Sequence, residues 1–145
     1  GIIIPDYQRF VEDEQYLLDR GFSRTKEFYY NEQLVELSYS FKGLNVDLIV
    51  YEKKGETISS DTIFFMINAL GVPTRHEVYH YELPFSQLQV ANFKGVDVKI
   101  PENTREYISH LYGLDFETPN TNYNWKENPI YKQGDAKLAR VVLKK

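Results

Sequence analysis

The chain has 145 residues, 42% of them hydrophobic, which is enough for one domain (residues 1–145) with a real buried core. A formal net charge of −4, with no run of more than two Lys or Arg, argues against nucleic acid as a partner, because that binding needs many cations facing phosphates. There is no cysteine. That excludes disulfides, thiolate nucleophiles and Cys-based zinc sites, and it suits a reducing cytosol.

The remaining composition narrows the class further. Ile2–Ile4 is too short for a signal-peptide core and runs at once into Pro5. The apolar stretch from Ile63 to Val72 contains Asn68 and has about half the length a membrane span needs. The expectation is a soluble, cytoplasmic protein with no membrane span. The 12 Tyr and 9 Phe read either as a partly solvated sheet surface or as a stacking platform for sugars or bases.

In chain order, Pro5 and Asp6 signal a helix start. Tyr7, Phe10, Val11, Glu14, Leu17 and Leu18 recur at helical spacing, and Gly21 follows, so a helix is predicted over 6–20. The acidic run Glu12, Asp13 and Glu14 fans around that helix and reads as a solvated face. A strand around Phe22–Tyr30 comes next. The period then becomes two: Val35, Leu37, Tyr39 and Phe41 alternate with Glu36, Ser38 and Ser40. After a turn at Lys42-Gly43, Leu44, Val46, Leu48 and Val50 alternate with Asn45, Asp47, Ile49 and Tyr51. This is a hairpin.

Residues 57–72 suit strand or helix equally. Glu77–Leu83 alternates as a strand. A second hairpin, Leu88–Phe93 and Val96–Ile100, turns at Lys94-Gly95. Pro101-Glu102-Asn103 opens a helix that ends at Tyr112 before Gly113, with Tyr107, Ile108, Leu111 and Tyr112 on its buried face. Residues 115–129, rich in Pro and Asn, read as loop. They hold Trp125, which is expected to pack because a lone Trp buries a large area and anchors a loop. Ala136–Lys145 reads as a short strand or helix.

Asp47 is the first candidate for chemistry. It stands mid-strand, on the face opposite Leu44, Val46, Leu48 and Val50. One reading is a solvated face, or an ion pair with a Lys or Arg on a neighbouring strand. The other is a rigidly held metal ligand, because Mg²⁺ takes hard carboxylate oxygens and leaves its other positions to water and phosphate. His76 and His80 are four apart in a loop and strand, which does not give helical metal-ligand spacing. His110 falls on an exposed helix face. No nucleophile elbow and no Gly-rich phosphate loop is present.

The second hairpin and its helix resemble the closing segment of the LicD/fukutin family. Phe93–Pro119 (FKGVDVKIPENTREYISHLYGLDFETP) is similar to the family's V-x-I/V-P step, its helix ending in Y-L-x-x-x-Y-G, then an acidic-aromatic pair and Pro. Tyr123–Pro129 (YNWKENP) resembles the W-K-x-x-P tail of fukutin. LNVDLIVY at residues 44–51 resembles the family's V-D-I/L-F strand, and the D-Y-x-x-F of Asp6–Phe10 resembles the start of its helix.

The resemblance implies an α+β, nucleotidyltransferase-like fold: a mixed or antiparallel sheet with flanking helices. It implies transfer of a phosphocholine- or alditol-phosphate-type group from a CDP-linked donor to a glycan hydroxyl with Mg²⁺ or Mn²⁺. Asp47 falls on the family's strand acid, as catalytic residue and metal ligand, and Tyr112, Asp115, Trp125 and Lys126 fall at substrate-binding positions. The family's D-D-D-I-D-like acidic motif would precede Gly1, so the expectation is a fragment or a domain that has lost that centre. The alternative function is a non-catalytic binding module of the same fold.

Overall fold

The structure is a computed structural model that describes the backbone of Ile2–Ile4 and residues 14–144. Its strands are β1 (Ile2–Ile4), β2 (Ser23–Tyr30), β3 (Gln33–Phe41), β4 (Leu44–Lys54), β5 (Thr57–Ile67), β6 (Pro73–Pro84), β7 (Leu88–Phe93), β8 (Val96–Pro101), β9 (Lys132–Gln133) and β10 (Ala139–Leu143). Helix α1 covers residues 14–19 and α2 covers Thr104–Tyr112. Of the helix predicted over 6–20, residues 6–13 lie outside the described residues, including Tyr7, Phe10, Val11, Glu12 and Asp13. The fold is α+β with a mixed, mostly antiparallel sheet. The segment that suited strand or helix equally is strand β5 followed by a tight turn.

Two compact units can be separated. The first holds residues 1–52, 60–80 and 133–145, and the second holds 53–59 and 81–132. In the first, the strands follow the order β10-β2-β3-β4-β5-β6. The pairs β10–β2, β2–β3 and β3–β4 are antiparallel, whereas β1 runs parallel to β4 with Ile2 beside Val50. Lys42 and Gly43 both take positive φ, 49° and 81°. That is the primed two-residue turn whose twist matches the strands it joins. The β2–β3 turn does the same with Asn31 and Glu32, at φ 47° and 62°.

A bulge decides which face each β3 residue serves. Phe28 pairs with Glu36 and Tyr29 with Leu34, leaving Val35 as an extra residue. Val35 and Glu36 thus stand together opposite Phe28. Val35 joins Phe28, Ile63, Val78 and Val141 in the core, instead of sharing a face with Leu37 and Tyr39 as strict alternation implies. Burying apolar surface of this kind stabilises by about 25 cal/mol per Å².

Leu37 pairs with Glu27, and this opposite face carries a charged cluster. Glu14 on α1, expected to be solvated, is buried. Arg24 donates to both its carboxylate oxygens, with Nε at 2.7 Å from Oε1, and the Tyr39 hydroxyl donates to Oε1 at 2.6 Å. Arg24 also reaches Glu27 at 2.6 Å, and Lys144 beyond β10 reaches Glu27 at 2.9 Å. A buried carboxylate persists only when paired and hydrogen-bonded. These partners meet that condition, and helical spacing alone does not reveal them. Leu18, expected on the buried stripe, is exposed.

In the second unit β7 and β8 form the expected hairpin, with Phe93 opposite Val96. α2 begins at Thr104. The Nδ2 of Asn103 donates to Glu106 at 3.2 Å, and the Gly113 N–H closes the helix on the Ser109 carbonyl at 2.8 Å. Tyr107, Ile108 and Leu111 are half-buried, but Tyr112 is 55% exposed. The helix packs through one narrow stripe.

Candidate functional site

The β3–β4 hairpin places two carboxylates on one face. Ser38 stands opposite Asp47 and Glu36 opposite Ile49, so Glu36 and Asp47 are diagonal neighbours on adjacent strands. The Ser38 hydroxyl donates to Asp47 Oδ1 at 2.6 Å. Asp47 is exposed and Glu36 is half-buried. Both line a cavity of about 390 Å³, together with Phe28, Ile49, Ile63 and Phe65. Asp47 therefore has a neutral partner, and its aliphatic neighbours Leu48 and Val50 face the other way.

Glu36 is the more perturbed member. Burial among apolar side chains pushes its carboxyl up to about 7, the Asp47 charge pushes in the same direction, and Lys26 opposes weakly. No described residue donates a hydrogen bond to it. A carboxylate set into a cavity wall beside a like charge is a pattern that functional sites often share.

Glu36 escaped the sequence reading, although the signal was present. With a two-residue loop at Lys42-Gly43, partners across the hairpin have residue numbers that sum to a constant. Ser38 must then face Asp47, and Glu36 must lie one diagonal away on the same side.

Two hard carboxylates on rigid strands match what Mg²⁺ or Mn²⁺ takes from a protein when phosphate and water fill its remaining positions. Among the described residues no set of three or more His, Cys, Asp or Glu converges as a metal cage. His76 and His80, both on β6, form no such group. His80 Nδ1 instead lies 3.3 Å from Asp61 Oδ1. Burial raises the Asp61 carboxyl, and His80 acts against that rise.

The other sequence candidates lie in the second unit. Tyr112 packs on Tyr123 with ring centroids 6.0 Å apart, and Trp125 meets Tyr131 edge-on at 5.0 Å. The Lys126 ammonium sits 5.6 Å from the Trp125 ring. Burial raises the Tyr131 phenol, with Tyr123, Tyr112 and Tyr107 pushing the same way. Asp115 is exposed, and its carbonyl accepts the Thr118 N–H at 2.8 Å. Beside this aromatic group lies a cleft of about 520 Å³, lined by Ser109, His110, Asn120, Tyr123 and Asn128 among others. The Asn128 amide donates to the carbonyls of His110 and Leu111, which fixes the tail on the end of α2. Tyr112, Trp125 and Lys126 thus belong to one aromatic neighbourhood, and Asp47 belongs to the other unit.

No protein-family model, no curated protein and no solved structure matches this chain.

Proposed function

We propose that this chain is part of a CDP-dependent phosphotransferase of the LicD/fukutin type, with a nucleotidyltransferase-like fold. It moves a phosphocholine- or alditol-phosphate-type group to a glycan hydroxyl. The observation that supports the reading is the pairing of Glu36 with Asp47 at one cavity on the central hairpin, where the resemblance puts the family's strand acid. A Mg²⁺ or Mn²⁺ ion bound there would offset the negative charge of the donor diphosphate. Asp47, the exposed member, would hold the ion, with its carboxylate kept in place by the Ser38 hydroxyl. Glu36 would supply the second charge from deeper in the wall once the ion displaces the proton that burial helps it keep. In the second unit, the resemblance assigns sugar binding to Tyr112, Asp115, Trp125 and Lys126, and aromatic faces beside polar groups suit sugar rings.

The test is paramagnetic. Mn²⁺ added to the protein should broaden the backbone amide signals around residues 36–38 and 47–49. Asp47→Asn and Glu36→Gln should each remove that broadening while the rest of the spectrum stays folded. CDP-choline and a CDP-alditol, each offered with Mg²⁺, then separate the two donor classes. Broadening elsewhere, or none, rejects the metal role. Saturable CDP binding without hairpin broadening would assign the chain to the non-catalytic module.

A further inference from the structure

The tip of the β5–β6 hairpin has no part in the carboxylate site. Residues 62–74 carry no ionisable side chain. Around the turn the apolar side chains point outward: Met66 is 59% exposed, Ile67 56%, Leu70 86% and Val72 50%. Single exposed apolar residues are ordinary, but a contiguous group on one turn marks an interaction surface.

The turn satisfies much of its own backbone. The Asn68 side-chain oxygen accepts the N–H groups of Leu70 and Val72, each at 3.0 Å. The Asn68 N–H donates to the Val72 carbonyl at 3.0 Å, and the Gly71 N–H to the Asn68 carbonyl at 2.9 Å. Gly71 permits this closure by taking φ 74°. The Asn68 side-chain oxygen accepts from the turn's own backbone, as Asn does in solvated turns too. The same closure suits a tip that enters hydrocarbon, where an unsatisfied backbone group costs several kcal/mol.

The charge at the base of the tip is complementary to the same medium. Arg75 is exposed and makes no ion pair or hydrogen bond with any described residue. It borders a small groove of about 200 Å³, shared with Phe65, Met66 and Glu77. A free guanidinium directly behind an uncharged apolar tip matches the order of layers in a phospholipid bilayer, acyl chains first and phosphates next.

We infer that the β5–β6 tip docks the protein on a phospholipid surface, with Met66, Ile67, Leu70 and Val72 entering the acyl boundary and Arg75 meeting lipid phosphate. The inference is independent of the phosphotransferase reading. A protein partner is the weaker occupant, because the turn itself, residues 66–72, carries no aromatic side chain to anchor one.

Vesicle flotation tests it. The full chain should float with vesicles of phosphatidylcholine mixed with phosphatidylglycerol. Leu70→Glu should lower the bound fraction about tenfold, and Val72→Glu should act likewise. Arg75→Ala should lower binding about fivefold on the mixed vesicles, and less on phosphatidylcholine alone. Circular dichroism and thermal midpoints check that each variant is folded; the exposure of Leu70 makes its replacement the safest. Absence of flotation, or Leu70→Glu floating like the parent chain, overturns the proposal. So does a parent chain that is dimeric in solution and turned monomeric by Leu70→Glu, which would assign the tip to a second copy.

Discussion

At the residue scale, Glu36 makes stability depend on pH, and the neighbouring Asp47 charge adds to that dependence. Glu36 has a folded pKa of about 7, raised from 4.5, so the folded state binds its proton more tightly than the unfolded chain does. Its contribution is full below pH 4.5 and is lost as pH rises through 7. Glu36→Gln should therefore leave stability near pH 4.5 almost unchanged and raise it by about 2 kcal/mol at pH 8, allowing for partial exposure. Chemical denaturation at the two pH values measures this, and equal effects at both would count against it. Asp47→Asn removes the charge that adds to the burial effect on Glu36, so the ¹³C carboxyl titration of Glu36 should move to lower pH. Because Asp47 is exposed and bonded only to Ser38 among the contacts described above, the same change should alter stability by less than about 1 kcal/mol. A loss of about 3–5 kcal/mol would instead indicate a broken buried ion pair. Small stability change with loss of hairpin broadening by Mn²⁺ is the combination the functional reading requires.

At the element scale, the described residues of α1 hold to the sheet by polar contacts more than by apolar ones. Leu17 is half-buried and Leu18 exposed, while Glu14 is buried against Arg24 and Tyr39. Glu14→Ala should destabilise the protein by about 3 kcal/mol, and hydrogen exchange should show amides 14–19 losing protection first. Tyr39→Phe removes a single donor and should cost about 1 kcal/mol. The tail of the second unit depends on different contacts. Trp125 lies against Tyr131 and is half-buried. Its fluorescence should start blue of indole in water and move red on unfolding. An emission already at the free-indole position, unchanged by denaturant, would mean that the tail is not packed.

At the scale of the whole molecule, the charged groups together set a pH window. Burial pushes the Glu14 and Glu27 carboxyls up, but their cationic and hydroxyl donors outweigh it and hold both below the usual range. A depressed carboxyl contributes stability above its unfolded pKa of 4.5 and loses it as pH falls through the folded value. Glu36 acts on the other side, losing stability as pH rises toward 7. The two trends meet near the shared unfolded value, at about pH 4.5–5, where the thermal midpoint should be highest. A plateau extending to pH 8 in the parent chain would contradict this, and restoration of such a plateau by Glu36→Gln would support it.

What the sequence determined by itself is local. Period-two alternation and the Lys-Gly turns gave both hairpins with their register, because side-chain period and turn geometry are short-range properties. They also made the Ser38–Asp47 pairing computable, and with it the neighbourhood of Glu36. Pro101, Asn103 and Gly113 marked α2 to within a few residues for the same reason. The tertiary structure decided the rest. Only packing shows that the Val35 bulge puts Val35 and Glu36 together opposite Phe28, since an inserted residue shifts a strand's phase without a local signature. Only packing makes strand of residues 57–67, where apolar content alone fits either period. Glu14 became buried because Arg24 and Tyr39, distant in sequence, supply the donors that make its burial affordable. The raised titration of Glu36 arises likewise from strands β2 and β5, which close a low-dielectric wall around a charge that the hairpin alone would leave in water.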